Sequence, residues 1–82
     1  MHYPRVITVT ALDDHTLLIG FDNQQARRYD IRPLLAKAAF APLNNPELFR
    51  RVRVEPGGYA VAWNEEIDIS EYELWQHGMP VG

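Results

Sequence analysis

The sequence predicts an α+β fold, mostly antiparallel sheet, in the element order β-β-β-α-α-β-β-β-α. Three observations predict it. Apolar and polar residues alternate with period two over several short runs, the pattern of half-buried strands. The links between consecutive runs hold only a few residues, too few for the crossover that parallel pairing needs. Helix start signals stand at Asn45-Pro46-Glu47 and at Ser70 with Glu73 three residues on.

The elements follow in order. Residues 6–12 are β-branched and form the first strand, with Ile7, Val9 and Ala11 on one face and Thr8 and Thr10 on the other. Asp13-Asp14 supplies a turn. Residues 15–21 form the second strand and direct Leu17, Ile19 and Phe21 to one side. Asp22-Asn23 turns the chain again, since both residues tolerate left-handed backbone angles. Residues 26–31 form the third strand, with Arg27, Tyr29 and Ile31 on one face.

The middle is helical but broken. Asp30 is placed to cap a short helix over residues 34–39, and Pro42 stops it. Asn45 caps a second short helix with Pro46 at its first position. Val52 and Val54 begin the second strand set, and Pro56-Gly57-Gly58 is a turn whose glycines accept positive φ. Tyr59, Val61 and Trp63 alternate with Ala60, Ala62 and Asn64. Ile67-Asp68-Ile69 is a short strand whose Asp68 faces away from the core. The last helix has Ser70 as its N-cap, Glu73 completing a capping box, and Ile69 with Leu74 as a hydrophobic staple. Gly78 and Pro80 end it.

Composition bounds the function. The chain has 82 residues, and residues 1–82 are read as a single domain. There is no cysteine. That excludes a disulfide framework, a thiolate zinc site, an iron–sulfur cluster and a cysteine nucleophile. A secreted chain this small usually needs such staples, so the expected location is cytoplasmic. No apolar run approaches the roughly 20 residues of a membrane-spanning helix, and no membrane partner is expected. All eight basic residues lie at or before Arg53, where five acidic residues accompany them. Six acidic residues and no basic ones follow. The net charge of -3 and pI near 5.5 argue against unaided nucleic-acid binding, which usually leaves a basic footprint.

Several strings stand in a fixed order. Pro4-Arg5-Val6 opens the first strand. Leu17-Leu18-Ile19-Gly20-Phe21 leads to Tyr29-Asp30-Ile31. Leu43 and Pro46-Glu47-Leu48-Phe49 follow, then Trp63-Asn64-Glu65-Glu66-Ile67-Asp68-Ile69-Ser70, with Leu74 after it. This order resembles the bacterial family called domain of unknown function 2442, over nearly the whole chain. Members tend to carry Asn-Gly or Asp-Gly where this chain has Asp22-Asn23-Gln24-Gln25, and a glycine where it has Glu65-Glu66. The resemblance implies a small α+β domain with no established catalytic residue. Some members carry an appended DNA-binding helix-turn-helix, a segment not expected here. Others are encoded beside a second small protein, in an arrangement similar to toxin–antitoxin pairs.

No residue set is spaced for chemistry. His2, His15 and His77 lack the four-residue spacing that puts two imidazoles on one helix face, so no metal is expected. No phosphate loop is present, and no cofactor is expected. Asp30 and Asp68 are read as structural, as are Trp63 and Ser70. An acid–base pair built on the two aspartates would need a cleft beside the core, for which so short a chain has little room. Tyr, Trp and Arg are the types enriched in binding hot spots. Arg50, Arg51, Arg53, Tyr72 and Trp75 are therefore the candidate protein interface. The expectation is a non-catalytic protein-interaction module whose partner is another protein encoded by a neighbouring gene, in the manner of an antitoxin. The alternative is an accessory or ligand-sensing domain of a transcription regulator that lacks its own DNA-binding segment. Self-association through a sheet edge or helix face is the further expectation.

Overall fold

A computed structural model describes residues 3–81. Three strands open the chain: β1 (Val6–Ala11), β2 (Thr16–Phe21) and β3 (Ala26–Asp30). Two 3-10 turns, Arg32–Leu34 and Ala38–Asn44, lead to the one-turn helix α1 (Pro46–Phe49). Then come β4 (Arg53–Val54), a 3-10 turn at Pro56–Gly58, β5 (Ala60–Ala62) and β6 (Asp68–Ser70). The helix α2 (Glu71–His77) and a short strand β7 (Met79–Pro80) end the fold. The strands form two antiparallel sheets, β1-β2-β3-β7 and β4-β5-β6, so the α+β reading holds.

Side-chain carboxylates and amides build the turns. Asp13 Oδ1 accepts the N–H groups of His15 and Thr16 at 2.8 and 2.7 Å. Asn64 Oδ1 does the same for Glu66 and Ile67 at 2.8 and 3.0 Å, so the β5–β6 hairpin closes without a glycine. At the β2–β3 turn the left-handed residue is neither Asp22 nor Asn23. It is Gln24, with φ 68°.

One interior serves both sheets. Leu17, Ile19 and Phe21 of β2 meet Tyr29 and Ile31, Leu43, Phe49, Val61, Trp63, Ile69 and Leu74. The predicted alternation holds through β2 and β3 and fails in β1. The register slips between Val6 and Thr8, where two residues of β1 oppose one step of β2. This bulge turns Ile7 out, 58% exposed, and puts Val6 inside instead. In β5 both Val61 and Ala62 are buried, because that strand is covered on its two faces.

Three further departures are physical. The helix expected over residues 34–39 is two 3-10 turns, and Pro42 lies inside the second rather than ending the first. Short 3-10 segments accommodate a proline that a longer α-helix would reject. The capping box of α2 is half formed. Ser70 Oγ accepts the Glu73 N–H at 3.2 Å, but Ser70 itself ends β6, paired with Ala60, and the Glu73 carboxylate accepts the Tyr29 hydroxyl instead. The chain does not stop its regular structure at α2: Met79 and Pro80 pair with Arg28 and Arg27 on the free side of β3. Gly78 makes that turn possible by close approach, since a Cβ there would collide with the Leu74 carbonyl oxygen and stand 2.9 Å from the Arg27 Cβ.

Candidate protein interface

The helix α2 is anchored by its N-terminal cap and by Leu74, which is fully buried. Its outer stripe carries Glu71, Tyr72 and Trp75, three and four residues apart and so on one face. Each meets a residue from the first half of the chain. Arg5 Nη1 donates to both oxygens of Glu71, at 2.9 and 3.1 Å. The same guanidinium lies 4.1 Å from the ring centre of Tyr59. Tyr3 packs edge-on to Tyr72 at 4.8 Å. The Arg27 guanidinium lies 3.8 Å over the Trp75 ring, which in turn packs edge-on to Phe21 at 5.2 Å.

The result is a strip of aromatic rings and guanidinium planes along α2. Tyr59 is 57% and Tyr72 47% exposed, while Trp75 is half-buried. The rings are held by stacking, so little side-chain freedom is left to lose when a partner covers them. Arg27 has a buried Nε with no hydrogen-bond partner. The flat Trp75 ring beneath it offers the cation an electrostatic contact in place of a hydrogen bond.

The remaining sequence candidates fall elsewhere. Arg50 donates to Asp14 at 3.2 Å, at the turn between β1 and β2, the end of β1 remote from Arg5 and the α2 strip. Arg51 is exposed, and Arg53 donates to the Trp63 carbonyl at 3.2 Å. The arginines that accompany Tyr72 and Trp75 are Arg5 and Arg27. One signal pointed to Arg27: strand alternation set it beside the core residues Tyr29 and Ile31, where a guanidinium requires a cover. Arg5 and its partner Glu71 are 66 residues apart in sequence, and nothing local links them.

Trp63, Ser70 and Asp30 make contacts that hold the fold, whereas the Asp68 carboxylate makes none among the described residues. Trp63 is buried and Ser70 caps α2. Asp30 takes the Arg32 N–H at 2.9 Å and the Arg32 guanidinium at 2.7 to 3.1 Å; those side-chain bonds hold its carboxyl below the usual carboxylate range. It thus secures a 3-10 turn, not an α-helix. Asp68 is exposed, with no hydrogen-bond or ion-pair partner among the described residues. His15 Nδ1 lies 3.6 Å from Asp13 and 3.5 Å from Asp30. His77 lies 3.8 Å from Glu73 near the end of α2, and His2 falls outside the described residues. Among the described residues no helix is long and apolar enough to cross a membrane.

Comparison with known proteins adds one finding. No curated protein and no solved structure matches the chain. The strand, turn and helix positions that organise this fold, from the first core residue Val6 to the edge residue Met79, are those matched by the model of the family described as protein of unknown function (DUF2442), over residues 6–79, and the chain belongs to that family.

Proposed function

We propose that this domain is a non-catalytic protein-interaction module of the bacterial cytoplasm that docks another protein on the α2 strip. The observation that carries the reading is the stacked arrangement of Arg5 on Tyr59 and Arg27 on Trp75 beside the exposed Tyr72. These residue types supply much of the binding energy in protein interfaces, and here they are ordered before any partner arrives. The family resemblance adds the kind of partner, the product of an adjacent gene in an antitoxin-like pair.

Co-expression with the adjacent gene product tests the reading. A stable complex is expected on size exclusion. Trp75→Ala and Tyr72→Ala should each weaken it by about 2 kcal/mol, roughly thirtyfold, as truncated hot-spot residues do. Arg50→Ala, on the far end of the domain, should leave it unchanged. Elution of the tagged domain alone, or equal loss from Arg50→Ala, would count against this surface.

A further inference from the structure

The outward face of the first sheet collects the apolar side chains that the core does not use. Thr10, Leu18, Arg28 and Met79 form one row across its four strands. Leu12, Thr16 and Asp30 form the neighbouring row, with the Leu12 N–H donating to Thr16 at 2.9 Å. Met79 is 72% exposed and Leu12 46%. Where β7 has not yet begun, the second row opens into a cleft of about 680 Å³ lined by Thr16, Asp30, Pro33, His77 and Met79. Arg28 also lines this cleft and has no ion-pair partner among the described residues.

We infer that this face pairs with the same face of a second copy of the chain, about a two-fold axis that crosses the strands between the two rows. Such an axis sets each row over the other row of the second copy. Thr10 then lies over Leu12, Leu18 over Thr16, Arg28 over Asp30, and the projecting Met79 over the cleft. A two-fold interface makes each of these contacts twice, so one projection and one hollow suffice for both copies. Stacked sheets keep their strands within about 30° of each other, which leaves β3 over β3.

Charge selects a second copy as the occupant. The chain is acidic overall, and two identical acidic surfaces would repel. These two rows carry Arg28, which has no ion-pair partner among the described residues, and Asp30, which already pairs with Arg32 of its own chain at 2.7 Å; the axis adds the Arg28 of the second copy to that carboxylate. Area sets the strength. A face about four strands wide and six residues long covers roughly 300–400 Å² per copy, less than the ~800 Å² of a standard interface. The dimer is therefore reversible, with dissociation at micromolar concentrations rather than nanomolar ones.

Sedimentation equilibrium of the full chain between about 1 and 500 µM spans that range. The apparent mass should rise from 9.5 kDa to twice that value with concentration. Met79→Glu and Arg28→Asp, both at exposed positions, should each weaken self-association at least tenfold while circular dichroism stays unchanged. Asp30→Arg should do the same, and an equimolar mixture of Arg28→Asp with Asp30→Arg should recover the dimer, because both charge contacts are then restored in the mixed pair. Should Asp30→Arg lose its fold, Met79→Glu and Arg28→Asp decide the matter. Tyr72→Ala, across the sheet, should not alter the mass. A 9.5 kDa species at every concentration, or a dimer indifferent to Met79→Glu and Arg28→Asp, overturns the inference.

Discussion

The indole N–H of Trp63 donates to the backbone carbonyl of Phe49 at 2.8 Å, and the two rings stack with centroids 6.1 Å apart. Trp63 directly follows β5, and Phe49 ends α1, so this contact ties the helical middle to the second sheet. Trp63→Phe keeps a ring but leaves the buried Phe49 carbonyl without that donor. A loss of about 1–3 kcal/mol is expected, read from urea unfolding.

The Tyr29 hydroxyl donates to Glu73 at 2.7 Å, joining β3 to α2. Burial first, and the Glu73 carboxylate second, hold this phenol's proton well above its ordinary range. The folded chain thus keeps a proton that the unfolded chain releases above about pH 10. Stability from this group is complete below that pH and falls as the pH rises beyond it. Tyr29→Phe should cost about 1 kcal/mol at neutral pH and flatten the alkaline loss, as followed by denaturant titration from pH 8 to 11.

The acid limb has the opposite sign. The His15 N–H, with Thr16 adding to it, holds the Asp13 carboxyl below its usual range, and Arg32 does so for Asp30. Both contributions are present above about pH 4 and are lost as the pH falls through the folded-state values. Asp13→Ala should therefore lower stability at pH 7 more than at pH 2.5. Equal losses at the two pH values would separate Asp13 from the acid transition.

Gln24 holds φ 68° at the β2–β3 turn, a conformation that costs a residue with a Cβ about 1 kcal/mol. Gln24→Gly relieves it. Thermal unfolding should show a gain of about 0.5–1 kcal/mol.

Gly58 is the reverse case. Its φ is +74°, and a Cβ there would stand 2.5 Å from the Val6 carbonyl oxygen and 3.1 Å from the Arg5 Cβ. Gly58→Ala should cost about 2–4 kcal/mol. It should also displace Arg5 from Glu71 and Tyr59, a change visible in the Tyr59 ring resonances.

What the sequence revealed was what neighbouring residues decide. Ser70 and Asn45 announce their helices because a cap acts within three residues. Leu17, Ile19 and Phe21 announce β2 because a regular strand alternates. Ile7 misleads because a bulge is set by the partner strand: Thr8 lies opposite Gly20, where a side chain would meet the Thr8 hydroxyl. Met79 and Pro80 form a strand only because β3 leaves a side open. The α2 strip was half legible, since Tyr72 and Trp75 sit on a recognisable helix while Arg5 and Arg27 arrive from distant strands.

Pro80 gives the border of the first sheet a particular property. Val81 turns its N–H inward to Ala26 at 3.1 Å, so alternation leaves Pro80 as the residue whose backbone nitrogen points outward. That nitrogen carries no hydrogen. A stray extended chain approaching this rim finds no donor at Pro80 to zip onto, which hinders there the ribbon growth that begins amyloid.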